Sequence, residues 1–136
     1  MVSLALWSAL VGCAGPNSRL VTVRSGHGDG PVDFSVKNAT SAPINALYLA
    51  KTERVTGAGE GLSFDSAQGQ ELWGSDLLSH SALGAGDRTK ITIPEAGVWD
   101  VRALDRDGRY QHVTGLRLAP GGRYILELNE GGWRVK

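Results

Sequence analysis

The chain has 136 residues, which fits one domain, and its 41% hydrophobic content supplies a core without pointing to a membrane bundle. Fourteen basic residues balance fourteen acidic ones and no local basic cluster appears, so no net field draws the chain to nucleic acid or to an anionic membrane surface. Nineteen glycines against four Trp, three Tyr and two Phe describe many tight turns around a modest core, which favours strands over helices.

Residues 2–11 (Val-Ser-Leu-Ala-Leu-Trp-Ser-Ala-Leu-Val) form a nearly unbroken apolar run, followed by Gly12-Cys13-Ala14-Gly15. The run is too short to span a bilayer, which takes roughly 20 residues, but it suits the apolar region of a secretory signal. Leu10-Val-Gly-Cys13 resembles the bacterial lipobox, in which a peptidase cuts before a cysteine whose sulfur carries a diacylglycerol. Cys13 is the only cysteine in the chain, so an intrachain disulfide is excluded. The resemblance implies a bacterial lipoprotein: residues 1–12 are the signal peptide and Cys13 is the palmitate-labelled mature N-terminus. It also implies a place in the cell envelope, at the outer membrane if the cell is Gram-negative. An ordinary cleaved signal and an uncleaved apolar anchor stay open as alternatives. The usual Lys or Arg before the apolar run is missing, which leaves the α-amine as its positive charge. Several acyl chains on one cysteine anchor a protein stably where one chain does not. The membrane, reached through the lipid on Cys13, is therefore the expected partner, together with an envelope protein and not with nucleic acid.

Residues 14–18, with Pro16 and Asn17, read as a tether, and 20–24 (Leu-Val-Thr-Val-Arg) as a β-branched first strand or strand-like arm. Residues 13–30 thus hold the lipidated cysteine, tether and possible first strand, and 31–136 hold the folded domain. Ser25-Gly-His-Gly-Asp-Gly-Pro31 cannot hold regular structure. Its glycines can nest an anion, but no helix follows and no Lys is present, so it reads as a flexible joint with His27 and Asp29 solvated. Val32, Phe34 and Val36 alternate with Asp33, Ser35 and Lys37 in a half-buried strand that ends at the turn Asn38-Ala-Thr-Ser. Pro43-Ile-Asn-Ala-Leu-Tyr-Leu-Ala50 is the next strand, with Pro43 at its first position, where no ladder donor is lost. Residues 51–72 break the pattern with Gly57, Gly59, Gly61 and Gly69, scattered acids, and Leu62 and Phe64 as apolar anchors. They read as one long loop, and its segment 52–71 is expected to be either a partner-contacting surface or dispensable, with dispensable the favoured reading. Replacing the stretch from Gly57 to Gly69 by a short linker is expected to leave stability nearly unchanged, because closure entropy varies slowly with loop length.

Trp73-Gly-Ser-Asp-Leu-Leu78 follows, with Ser75 or Asp76 placed to cap a helical turn. After the turn Leu83-Gly-Ala-Gly-Asp87 comes the strand Arg88-Thr-Lys-Ile-Thr-Ile93, and Pro94-Glu-Ala-Gly97 turns into a hairpin. There Trp99, Val101 and Ala103 alternate with Asp100 and Arg102, so the first set is expected buried and the second wet. Asp105-Arg-Asp-Gly108 supplies the hairpin turn. Leu116 and Leu118 continue the returning strand, and Tyr124, Leu126 and Leu128 mark a last strong one before Trp133. The result is an all-β chain, an immunoglobulin-like antiparallel β-sandwich of about seven or eight short strands. The order of these elements resembles that of small bacterial exported β-sandwich domains of uncharacterised function. The resemblance covers about residues 32–128, and its most specific piece is Trp73-Gly-Ser-Asp-Leu-Leu78. It implies a fold and carries no activity; the segment 52–71 departs from it by its length.

For catalysis, Ser79-His80-Ser81 is the tempting stretch, but neighbours in a chain cannot face each other and no Gly-x-Ser-x-Gly elbow exists. His27, His80 and His112 lack zinc-ligand spacing. Asp105 and Asp107 before Gly108 resemble the first half of an EF-hand loop. The later ligands and closing Glu are absent, so calcium would have to borrow Asp76 or Asp100 across space; a plain hairpin turn needs the same residues. No catalytic residue and no cofactor are assigned. Asp105, Asp107 and Asp76 are the metal candidates, and Trp73, Phe64 and Trp133 the ligand candidates. The expectation is a membrane-anchored envelope lipoprotein acting as a non-catalytic binding or scaffold module. The alternative is a carbohydrate- or calcium-binding sandwich, with a hydrolase last. Exposed Trp73 and Trp133 beside the long loop would favour a ligand, and buried tryptophans a scaffold.

Overall fold

The computed structural model describes residues 17–58, 66–79 and 81–135. The apolar run with Cys13, the anchors Leu62 and Phe64, and His80 lie outside the described residues. Among the described residues seven strands are β1 (Arg19–Arg24), β2 (Asp33–Ala39), β3 (Ile44–Lys51), β4 (Arg88–Ile91), β5 (Gly97–Asp105), β6 (Tyr110–Leu118) and β7 (Arg123–Asn129). They form a sandwich of two sheets, ordered β1-β7-β2-β4 and β3-β5-β6. The expected antiparallel pairing has one exception, β2 with β7, which run parallel with Phe34 beside Tyr124 and Val36 beside Leu126. Strand β7 slots between β1 and β2, which run in opposite directions. It is antiparallel to one and must therefore be parallel to the other.

Period-two alternation builds the core between the sheets. Phe34 and Val36 from β2, Tyr124, Leu126 and Leu128 from β7, and Trp99, Val101 and Ala103 from β5 all point inward and are buried. The Trp99 indole finds a partner by donating to the Glu95 carbonyl at 3.1 Å. At the turn after β2, Asn38 is fully buried. Its amide donates to the Ala42 and Leu83 carbonyls, and its Oδ1 accepts from the Thr40 backbone and hydroxyl. A buried amide with this many partners locks a turn instead of costing stability.

The segment expected as one long loop at 51–72 is built differently. Strand β3 extends to Lys51, and two helices follow, α1 (Thr52–Ala58) and α2 (Ala67–Trp73). Ser66 caps α2, its hydroxyl accepting from Gly69 N at 2.9 Å. Val55, Leu72 and Trp73 are buried with Ala50 in a second small core, against which Tyr48 packs. Tyr48 and Ala50 alternate with the inward Leu47 and Leu49, so this second core lies on the outer face of the three-stranded sheet. Asp76 then fastens the chain after α2 to the edge of β3. Its Oδ1 accepts from Leu47 N and Leu78 N, while Leu77 N donates to the Leu47 carbonyl. The free edge of β3 is thereby covered.

Candidate functional site

A polar constellation centred on Asp100 lies beneath the two helices. Asp100 and Arg102 point away from the main core, as their alternation with Trp99 and Val101 requires. The expectation that they are wet is corrected for Asp100, which is 1% exposed because α1 and α2 cover that face. Trp99 pairs with Leu116 but Val101 with Val113, so Thr114 and Gly115 form a bulge opposite Asp100. Gly115 holds φ at +72°, which a side chain would resist, and the bulge turns its N–H onto Asp100 Oδ1 at 3.0 Å. The Thr114 hydroxyl donates to the same oxygen at 2.9 Å, and the hydroxyl of Thr52, the first residue of α1, donates at 2.6 Å. His112 Nε2 lies 2.8 Å from Asp100 Oδ2 and, facing an acceptor-only carboxylate, carries the hydrogen of that bond. Burial pushes the Asp100 carboxyl up, but the bonds from Thr52, Gly115, His112 and Thr114 outweigh it and hold the group below its ordinary value.

Around this pair, Trp73 meets the His112 ring edge-on at 5.6 Å between centroids. The Arg102 guanidinium sits 5.0 Å from the Tyr110 ring centre and 5.5 Å from that of Trp73. Burial draws the Arg102 pKa below its ordinary value. The chemistry available here is cohesive. Both threonine hydroxyls donate to the carboxylate and not to the imidazole, so the Asp-His pair activates neither of them as a nucleophile. It ties α1, the bulge of β6 and the centre of β5 together.

Among the described residues the metal candidates do not gather into one set, and the ligand candidate Trp133 shares Arg109 with Asp105. Trp73 is 4% exposed under its own helix, whereas Trp133 is half-buried against the main core with the Arg109 guanidinium 5.0 Å over its ring. Phe64 is outside the described residues. Asp105 Oδ1 accepts from Asp107 N and Arg109 N, and its Oδ2 accepts from Arg109 Nε at 2.6 Å. Burial raises the Asp105 pKa, and these bonds, Arg109's first, bring it below the usual carboxylate range. Asp107 stands exposed at the turn, and Asp76 is engaged at β3. Among the described residues no three His, Cys, Asp or Glu side chains gather as a metal set.

Sequence reasoning missed the Asp100–His112–Arg102–Tyr110 cluster. The signal for it was β3, whose Leu47-Tyr-Leu-Ala50 run is apolar on both faces, the mark of a strand covered on both sides. A second feature is an open cleft of about 680 Å³ at the end of the sandwich where β1 ends and β2 begins. It lies between the glycine joint at 25–31 and the end of β4, and Arg24, His27, Asp29, Lys90 and Ile93 are among its lining residues. Asp33 on its wall is paired with Arg123 at 2.9 Å and Lys90 at 3.6 Å. No helix among the described residues is long and apolar enough to cross a membrane. Compared with protein-family models, characterised proteins and solved structures, the chain matches none of them, so its own residues carry the functional argument.

Proposed function

We propose that the chain is a lipid-anchored protein of a bacterial cell envelope whose sandwich is a non-catalytic binding or scaffold module. The observation that carries the anchor is Leu10-Val-Gly-Cys13 at the end of an apolar run, in a chain with no other cysteine. The scaffold half is supported by Trp73 and Trp99, which are 4% and 6% exposed and so spend their apolar area on cohesion. The polar cluster at Asp100 is likewise consumed in joining elements. Radiolabelled palmitate should follow the protein into membranes, and Cys13→Ala should abolish the label and release the chain. Persistent labelling of the variant would remove the anchor.

One feature favours small-ligand binding as a second reading: the cleft beside the 25–31 joint combines the charged groups Arg24, Asp29 and Lys90 with apolar Val32 and Ile93. A thermal-shift screen with calcium and neutral oligosaccharides tests it. A rise in melting temperature lost in Asp29→Ala would assign the ligand to this cleft, and no shift would leave the scaffold reading alone.

A further inference from the structure

We infer that the domain sits on the bilayer in one orientation, with the end of the sandwich formed by residue 17, the 105–109 hairpin turn and the 130–135 segment facing the lipid headgroups. The inference rests on lipidation of Cys13. Its geometric basis is where the fold starts. Asn17 is already fixed, because Asn129 Nδ2 donates to its carbonyl at 2.9 Å. The next residue is held too: Asn129 N donates to the Ser18 hydroxyl at 3.0 Å, and that hydroxyl bonds Gln111 Oε1. Gly132 packs against both side chains so closely that a Cβ there would clash with Ser18 Oγ and Gln111 Oε1. Four residue steps separate Cys13 from Asn17, which reach at most about 14 Å when fully extended. A cysteine acylated at the headgroup level therefore holds this end of the sandwich at the membrane surface.

The opposite end lies much farther away. Strand β5 runs nine residues from Gly97 to Asp105, about 30 Å of strand, with its Asp105 end beside the start of β3 at Ile44. Its Gly97 end is level with the 119–122 turn and the cleft, since Gly97 pairs with Leu118 and Gly121 donates to the Gly30 carbonyl. The near end also has the composition that headgroups accept. Val135 is 81% exposed, Trp133 is half-buried, and Arg106 and Arg134 are exposed. Exposed guanidinium groups around the Val135 tip suit the phosphates at the membrane interface, with Asp107 and Glu130 as exposed acids at the same end, while the Trp133 indole turns its Nε1 inward. A rigid sandwich on a tether this short leaves the cleft between the 25–31 joint and β4 facing away from the membrane, where soluble ligands and proteins reach it.

The test uses the acylated full chain, purified from membranes and reconstituted into phosphatidylethanolamine–phosphatidylglycerol vesicles containing a nitroxide-headgroup lipid. Cys13 is blocked by its own lipid, so a thiol-reactive fluorophore labels only an introduced cysteine. Asp107→Cys and Val135→Cys mark the near end, and Asp29→Cys and Ala96→Cys the far end. All four positions are exposed, so two probes per end keep the comparison intact if one variant folds poorly. Near-end labels should be quenched at least about threefold more than far-end labels. Equal quenching, or stronger quenching at the far end, in protein shown to carry palmitate would overturn the orientation and leave the anchor standing. A chain that carries no palmitate and does not float with the vesicles would remove the anchor, and the orientation with it.

Discussion

Asp100 concentrates more of this fold on one side chain than any residue that the sequence brings forward as a site. Four donors from two elements, α1 and β6, meet its two oxygens on β5; the carboxylate itself is 1% exposed, while Thr52 and His112 are partly exposed and Thr114 and Gly115 exposed. Asp100→Ala should therefore cost about 1–3 kcal/mol, read as a lower urea midpoint, because the bonds that join α1 and β6 to β5 are lost while the more exposed donors turn to water. Asp100→Asn, which keeps one acceptor oxygen, should cost less. A midpoint unchanged in the alanine variant would mean that the helices do not seal this site in solution. Asp105 is the contrasting case. Its carboxylate already accepts from the backbone N–H groups of Asp107 and Arg109 and from Arg109 Nε, so calcium would have to displace these donors instead of filling a vacant ligand set. Millimolar calcium is accordingly expected to leave the melting temperature unmoved, since only an ion bound to the folded state raises it. A rise that disappears in Asp107→Asn would restore the hairpin turn as an ion site.

At the scale of elements, the two short helices change what the strands beneath them mean. Trp73, 4% exposed between α2 and the sheet, should cost roughly 3–5 kcal/mol when replaced by Ala. A small loss would show the helical layer to be dispensable. Replacing the stretch from Gly57 to Gly69, neutral if that stretch were plain loop, removes the Ser66 cap and the first turn of α2. It should now cost at least about 1 kcal/mol. The strands themselves were legible from alternation: Phe34 and Val36, Trp99 and Val101, and Leu126 and Leu128 all lie on the face expected of them. The helices were not, because each is seven residues long. Val55 alone on α1, and Leu72 with Trp73 on α2, are too few apolar positions to trace a 3.6-residue period. The error at Asp100 followed from that one. Alternation correctly turned it away from the main core, but only the helical cover decides whether the outer face is wet. The polar site was thus readable as a set of residue types and unreadable as a place.

For the molecule as a whole, the charge pattern sets a direction for stability against pH. Four carboxylates sit below their ordinary values in the folded state. Asp33 is lowered by its bond from Arg123 and Glu130 by those from Ser41, while at Asp100 and Asp105 hydrogen bonds overcome the upward push of burial. In the unfolded chain these groups titrate near their usual values, about 4. As pH falls from about 5, the unfolded state takes up protons that the folded state refuses, so the stability these groups contribute at neutral pH is lost progressively on acidification. Lys51 works in the other direction. Its contact with Glu95 raises its pKa, so its contribution is complete below the ordinary lysine value and fades only as alkaline pH rises through the folded value. Exposure and screening keep it small. The urea midpoint should therefore be level near neutrality and fall steeply between about pH 5 and 3. Salt at about 0.5 M should weaken the part due to Asp33, whose partners Arg123 and Lys90 are more than half exposed. It should leave the part due to Asp100 and Asp105 largely intact, since those side chains are 1% and 0% exposed. Joint replacement Asp100→Asn and Asp105→Asn should flatten the acid limb even as it lowers the neutral plateau. A midpoint that stays level or climbs from pH 5 to 3 would mean that burial, not hydrogen bonding, governs these two carboxylates, and that they fold as acids.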